Sequence, residues 1–264
     1  MNLIQSIILG AVQGLTEFLP VSSSGHLALF QHIFSFSTPP IFFDTIAHLG
    51  TLLAVIFYLK KEIIYILKTL KEKQTIKLIL LIILASLPAI IAGLLLKDKI
   101  EEIFSSLYLV GISFIITSVI LFATKFFSAE GGSAFGGKKD INNISWFDSL
   151  FIGIFQAFAI LPGISRSGST ISASIFRNLK REDAFKFSFL MSIPIIFGAF
   201  ILQLAEQDFN LFNGSTFTNL TGFFFAIIFG FLSLIIVEKA LIKGKLHYFA
   251  PYCFILGVLV LSFM

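Results

Sequence analysis

The chain has 264 residues and a formal net charge of +4; 56% of its residues are hydrophobic, only 13% are charged, and its mean hydropathy is +0.95. These values exclude a soluble globular domain and predict an all-α polytopic membrane protein. A single cysteine, Cys253, excludes an internal disulfide and a multi-cysteine metal site. The N-terminus lacks a basic segment and a small-residue cleavage site, so we expect no removable signal peptide.

Six apolar runs reach the length of about 18 residues that crosses the hydrocarbon core. They lie at residues 41–59, 76–96, 107–127, 184–204, 220–237 and 248–264. Two shorter apolar stretches, 3–12 and 146–161, each lead into a polar, serine-rich segment and then into another short apolar segment. This pattern is typical of a re-entrant helical hairpin, which is tolerated at membrane depth where it is buried in protein. We therefore predict about six transmembrane helices plus two re-entrant hairpins.

The basic residues indicate the topology. Sixteen of the 19 lysine and arginine residues fall in or beside alternate connections between the predicted spans. By the positive-inside rule these connections are cytoplasmic, which places both termini outside. The first hairpin then enters from the outside and the second from the cytoplasm, as in an inverted-topology repeat whose two hairpin tips meet near the membrane midplane.

Weak internal symmetry favours the same organisation. The pattern Gly10-x-x-Gln13 before a Leu-Pro pair and a serine cluster is echoed by Gly153-x-x-Gln156 before a second such pair and cluster. We predict one integral membrane domain, 1–264, with repeat halves at 1–127 and 146–264. A glycine-rich cytoplasmic linker, 128–145, joins them.

The first polar, serine-rich segment (the first island, residues 13–26) combines a carboxylate, hydroxyls and an imidazole. Gln13 and Glu17 are four residues apart and share one helix face. Pro20 ends or kinks that helix, and the serines at 22–24 cap the next one. Ser23 and His26 are three residues apart, close enough in the first helical turn to act on one substrate atom.

The second island, residues 161–170, places Arg166 among Ser165, Ser167 and Thr170. Both islands end at a helix N-terminus, which binds anions through free N–H groups and the helix dipole. The Arg166 guanidinium adds a planar donor fork that suits phosphate. A charge at the bilayer centre costs about 2.5–3.5 kcal/mol, so such groups usually face a cavity and act on a ligand. The sequence therefore indicates phosphoryl transfer on a lipid-borne anion.

In a structural alternative, Glu17, His26 and Arg166 have no catalytic role. In that interpretation they form a buried ion pair that holds the two hairpins together. For Asp44 and His48, near the end of a span, we expect a structural hydrogen bond rather than catalysis.

The two islands resemble the motifs of the BacA/UppP family of undecaprenyl-diphosphate phosphatases. That family has a Glu/Gln-x-x-x-Glu stretch leading into Pro-x-Ser-Ser-x-Gly-His, here Gln13–Glu17 and Pro20–His26. Its second motif, Pro-Gly-x-Ser-Arg-Ser-x-x-Thr, stands here at 162–170. The resemblance covers essentially the whole chain. Because the first carboxylate position is Gln13, a mechanism that needs two carboxylates in this stretch does not transfer directly.

The resemblance implies hydrolysis of undecaprenyl diphosphate to undecaprenyl phosphate, with a divalent cation, magnesium or calcium. On this basis Ser23 attacks the terminal phosphorus while His26 acts as general base and then acid. Glu17 orients His26 or holds the cation, and Arg166 stabilises the transition-state charge. The remaining island residues are expected to bind the phosphates: Gln13, Ser22, Ser24, Ser165, Ser167 and Thr170. A phosphohistidine on His26 is a rival route, and a polyprenyl-phosphate flippase or transporter without hydrolysis is the alternative function.

The expected partners are the bilayer and a polyprenyl diphosphate lipid, with no nucleic acid. The expected location is the bacterial cytoplasmic (inner) membrane, with the protein crossing it several times and the site open to the outer side. The sequence leaves the oligomeric state open, a homodimer included.

Overall fold

The structure is a computed structural model that describes residues 1–36, 40–96, 99, 103, 106–127, 139–206 and 216–263. The described residues are mostly helical, and their only β-type pairing is an isolated bridge between Lys139 and Leu179. This confirms the all-α class. The α-helices are α1 (Leu3–Phe18), α2 (Ser23–Ile33), α3 (Ile41–Tyr58), α4 (Lys60–Lys68), α5 (Lys73–Leu95), α6 (Leu107–Phe127), α7 (Trp146–Phe158), α8 (Arg166–Phe176), α9 (Arg181–Glu206), α10 (Thr216–Ile242) and α11 (Ala250–Ser262).

Five of these helices, α3, α5, α6, α9 and α10, are long and apolar enough to cross a membrane. The sixth predicted span, 248–264, corresponds to a shorter apolar helical segment, Leu246–Ser262, in which a 3₁₀ turn at Leu246–Phe249 leads directly into α11. The 13 residues of α11 are about 20 Å long. The structure also contains α4, a short amphipathic helix that the sequence analysis did not predict.

The two predicted hairpins are present as pairs of short helices. In each pair the first helix, α1 or α7, begins with a capping box and ends just before a Leu-Pro pair. The second helix, α2 or α8, begins at a serine N-cap and has 11 residues. All four helices are shorter than the five long ones, as re-entrant segments require.

The helices pack in a reciprocal pattern. Helix α1, at the start of the first half, packs on α10 of the second half, and α7, at the start of the second half, packs on α5 of the first. Helices α6 and α11 form another pair, and so do α3 and α9. This reciprocal packing is the pattern expected when two halves have the same order of helices. The inverted-topology repeat itself stays a prediction.

Close backbone approach explains the glycine that recurs in both halves. A Cβ atom added to Gly153 would lie 2.6 Å from the Ala85 carbonyl oxygen, so α7 and α5 pack closely only with glycine there. The equivalent Gly10 faces the backbone of Gly222 on α10.

We expect Gly153→Ala to lower the free energy of unfolding by about 1–3 kcal/mol, because the added methyl group forces two backbones apart. Gly198→Ala is the matched control, since a Cβ atom at Gly198 meets nothing within 4 Å. Thermal unfolding in detergent measures both variants. Equal stability of the two variants would contradict the close-packing account.

Basic segments gather at one end of the helices. Asp148 is fully buried at the start of α7, where it binds Lys139 at 2.9 Å and Arg177 at 2.6 Å. Burial alone raises the pKa of Asp148, but its hydrogen bonds with Lys139, Ser145 and Arg177 hold that pKa well below the ordinary aspartate value. Residues 128–138 of the predicted linker lie outside the described residues.

Candidate active site

The first island folds back on the end of α1. Helix α1 ends at Phe18, and the chain turns through Pro20 into Ser22, whose φ of 69° lies in the left-handed region. The Ser22 hydroxyl caps α2 by accepting a hydrogen bond from the Gly25 N–H at 3.4 Å. This tight turn brings Ser23, at the first turn of α2, back beside Glu17 in the last turn of α1.

The second island is built in the same way and is braced by α6. Gly163 has a φ of +94°, a conformation that glycine adopts without strain. The Thr117 hydroxyl donates to the Gly163 carbonyl at 2.8 Å and accepts from the Ser165 N–H at 3.0 Å. Ser165 then caps α8 by accepting from the Gly168 N–H.

The tips of the two islands touch each other. The Gly163 N–H donates to the Ser22 hydroxyl at 3.1 Å, and the Ser167 hydroxyl donates to the Leu19 carbonyl at 3.2 Å. A Cβ atom on Gly25 would lie 2.9 Å from the Gly163 Cα atom. The sequence prediction that the two islands meet is therefore confirmed.

Glu17 lies at the centre of this contact and is 8% exposed. Its Oε1 atom is 2.5 Å from Nη2 of Arg166, so an ion pair joins the two islands. Its Oε2 atom accepts hydrogen bonds from the Ser23 hydroxyl at 2.6 Å and from the Gln13 amide at 3.1 Å. One carboxylate therefore holds a hydroxyl, an amide and a guanidinium together.

Two polar atoms at this site have no hydrogen-bond partner among the described residues. They are Oε1 of Gln13 and Nη1 of Arg166, and both are buried. Buried polar atoms are costly when they are unpaired, so such atoms need an explanation. An acceptor and a donor left free around one carboxylate are suited to a polar ligand.

His26 faces a different set of partners from those expected. Its Nδ1 atom lies 2.7 Å from the Ser22 carbonyl, and its Nε2 atom lies 2.7 Å from the Tyr252 hydroxyl. A carbonyl only accepts, so Nδ1 carries the proton and Nε2 accepts from Tyr252. Ser23 and His26 lie in the first turn of the same helix, as predicted, and the described hydrogen bond of the Ser23 hydroxyl is to Glu17.

The other predicted phosphate-binding residues divide into two groups. Ser24 is half-buried and contacts the Ser22 hydroxyl, while Ser165 and Ser167 contact each other at the tip of the second island. Thr170 instead donates to the Arg166 carbonyl at 2.9 Å and contacts Ser188 on α9. The structure therefore places Thr170 in helix packing rather than beside Glu17.

Comparison with known proteins decides the family. The family model described as bacitracin resistance protein BacA matches residues 6–259. The chain belongs to the BacA family. An undecaprenyl-diphosphatase of Methanococcus maripaludis is 43% identical over 262 residues, which cover 98% of this chain and 100% of the relative. An undecaprenyl-diphosphatase of Carboxydothermus hydrogenoformans is 44% identical over 264 residues, which cover 99% of this chain and 97% of the relative. Undecaprenyl-diphosphatase 4 of Bacillus thuringiensis is 41% identical over 267 residues, with the same coverage of both chains.

This BacA-family site also contains residues that the sequence analysis did not assign to it. His48 forms the expected structural bond to the Asp44 carbonyl through Nδ1 at 2.8 Å, but its Nε2 atom is also 3.7 Å from Oε2 of Glu17. Thr117 braces the second island, and Tyr252 covers His26. Nothing in the local sequence marks Thr117 or Tyr252 as site residues.

Proposed function

We propose that this protein hydrolyses undecaprenyl diphosphate to undecaprenyl phosphate and inorganic phosphate. The reaction recycles the lipid carrier for peptidoglycan and other cell-wall glycans, with bacitracin resistance as a consequence. The observation that carries the proposal is the Glu17–Arg166 pair, which joins both islands and holds Ser23 beside it. Family membership and the relatives named undecaprenyl-diphosphatase support the same reaction.

Ser23 is the proposed nucleophile. Its oxygen attacks the terminal phosphorus while its proton passes to Oε2 of Glu17, which already accepts its hydrogen bond at 2.6 Å. The bond between that phosphorus and the bridging oxygen breaks, and undecaprenyl phosphate leaves with the bridging oxygen. Water then attacks the phosphoserine, the bond between phosphorus and the Ser23 oxygen breaks, and Glu17 returns its proton to that oxygen, which releases inorganic phosphate and restores the Ser23 hydroxyl.

The charge of the transferring phosphoryl group needs preorganised donors. The unpartnered Nη1 of Arg166 is suited to bind a phosphoryl oxygen while Nη2 keeps its bond to Glu17. Helices α2 and α8 both begin at the point where the islands touch, so their N-terminal N–H groups add donors of the same kind. Together they stabilise the developing negative charge.

His26 is the proposed general base and acid, with Nε2 as its reacting nitrogen because Nδ1 is bound to the Ser22 carbonyl. In the step that follows the attack by Ser23, it takes a proton from the hydrolytic water. The rival route makes Nε2 the nucleophile. Trapping of a phosphorylated enzyme, followed by mass-spectrometric mapping, distinguishes the routes: we expect the phosphoryl group on Ser23, and its location on His26 would contradict the Ser23 assignment.

The residues present fit a divalent cation, magnesium or calcium. Magnesium commonly binds one or two carboxylates together with substrate phosphate oxygens, and calcium accepts amide carbonyl oxygens as well. Glu17 and the unpartnered Oε1 of Gln13 would supply these oxygens from one helix face. When bound, the cation would neutralise negative charge on the diphosphate.

We also propose that the protein lies in the bacterial cytoplasmic membrane with both termini outside and the site open to the outer side. The distribution of basic residues supports this orientation, because sixteen of the 19 lysine and arginine residues fall in or beside alternate connections between the predicted spans. His48, whose side chain is 34% exposed beside Glu17, lies in the N-terminal half of α3. That half of α3 faces the outside in this topology.

Phosphate release from undecaprenyl diphosphate by the purified protein in detergent micelles tests the proposal. We expect release with magnesium or calcium and its loss with EDTA. Saturable binding of the lipid without release would contradict hydrolysis and favour the flippase or transporter alternative.

A further inference from the structure

Tyr252 joins the C-terminal helix to the first island. It lies on α11, 226 residues from His26 along the chain, and its hydroxyl is 2.7 Å from Nε2 of His26. The two rings are parallel within 2°, with centroids 5.8 Å apart. The contact therefore combines a hydrogen bond with an aligned pair of rings.

The other sides of the His26 ring are already occupied. The Ser22 carbonyl binds Nδ1, and the Phe114 ring meets the imidazole edge to face at 87° with a centroid distance of 5.3 Å. His26 is 5% exposed. Nε2 is thus the ring nitrogen whose described partner is the Tyr252 hydroxyl, and the hydrolytic water must replace that hydroxyl before Nε2 takes its proton.

Tyr252 itself is accessible from outside the protein. It is 49% exposed, so burial alone does not explain why a tyrosine hydroxyl is held here. A buried imidazole acceptor without a donor would be unsatisfied, and a phenylalanine at this position would leave it so. The part of Tyr252 that matters for His26 is therefore its hydroxyl, which donates a hydrogen bond to Nε2.

We propose that Tyr252 is a positioning residue for His26. It acts through the imidazole: the Ser22 carbonyl fixes the tautomer by binding Nδ1–H, and the hydroxyl, by donating to Nε2, fixes the ring orientation and keeps the Nε2 lone pair directed at the site until water replaces the hydroxyl. This inference rests on the proposed function, in which Nε2 of His26 is the reacting atom. It adds a group from the far end of the chain to the requirements of the reaction.

Tyr252→Phe removes only the hydroxyl. We expect kcat for phosphate release to fall about 10–100-fold, at the lower end of what a general base contributes, with KM changed less than about twofold. Tyr248→Phe is the matched control, because Tyr248 lies one turn earlier and contacts His247 and Lys245 instead of the site. Thermal unfolding of both variants checks that each is folded.

¹⁵N NMR of histidine-labelled protein gives a readout that does not depend on activity. His26 is assigned by its loss in a His26→Gln variant. In the wild type we expect a protonated Nδ1 and a hydrogen-bonded, unprotonated Nε2. In Tyr252→Phe the Nε2 signal should broaden and move toward the position of a free pyridine-type nitrogen.

The inference requires both changes in Tyr252→Phe and neither in Tyr248→Phe. A Tyr252→Phe variant with wild-type kcat, or with an unchanged His26 spectrum, would overturn it, and so would equal losses of kcat in the two variants. A wild type that releases no phosphate would instead contradict the proposed function, while the NMR measurement would still report whether the Tyr252 hydroxyl binds Nε2 of His26.

Discussion

Arg166→Ala is expected to lower the rate of phosphate release at least about 10³-fold, which is the scale on which an arginine stabilises phosphoryl-transfer transition states. The variant loses Nη1, the donor left free for the phosphate, together with the ion pair to Glu17. Arg166→Lys keeps the charge but loses the planar fork, so we expect it to recover only part of the rate.

Arg166→Ala is also expected to lower the free energy of unfolding by about 3–5 kcal/mol, because it leaves the Glu17 carboxylate buried and unpaired. Adding Glu17→Gln to Arg166→Ala should restore stability, since it removes the remaining charge, but it should not restore activity. Chemical unfolding in detergent separates these effects. An Arg166→Ala variant with a rate within tenfold of wild type would leave only the structural ion-pair interpretation.

Ser23→Ala carries the second large expected effect, again a loss of at least about 10³-fold in phosphate release, because the proposed nucleophile is absent. Ser24→Ala is its matched control. Ser24 is the adjacent, half-buried hydroxyl, and its described hydrogen bond is to Ser22 rather than to Glu17. We expect Ser24→Ala to keep the rate within about tenfold.

Ser24→Ala should change stability little. Ser23→Ala should lower it by about 1–3 kcal/mol, because it removes a hydrogen bond to the buried Glu17 carboxylate. Release is measured with purified protein at saturating lipid. Equal rates for Ser23→Ala and wild type would contradict the assignment of Ser23 as the nucleophile.

The sequence predicted most of the fold because membrane burial leaves clear signals. Apolar length located five long spans, and the polar islands located both hairpins. The sixth apolar run corresponds to the segment Leu246–Ser262, but hydrophobicity did not predict that its first residues form a 3₁₀ turn. Helix α4 was missed because it is short, combines charged with apolar residues, and follows α3 directly.

The sequence also located the site residues but not all of their partners. Spacing placed Ser23 and His26 in one helical turn, but it did not predict that the left-handed turn at Ser22 also brings the Ser23 hydroxyl to Glu17. Local spacing does not report such a turn at a non-glycine residue. Tyr252 was beyond prediction for a different reason: its contact with His26 depends on how α11 packs against the other helices.

The central claim is that the two islands form one active site that hydrolyses a lipid diphosphate. The most direct test is phosphate release from undecaprenyl diphosphate by wild type, Ser23→Ala, Arg166→Ala and the double variant that combines Ser23→Ala with Arg166→Ala. If the islands act as one unit, the wild type releases phosphate, each single variant loses most of that rate, and the double variant loses little more, because the effects of residues that act together are not additive. No release by the wild type, or losses that multiply in the double variant, would contradict the account.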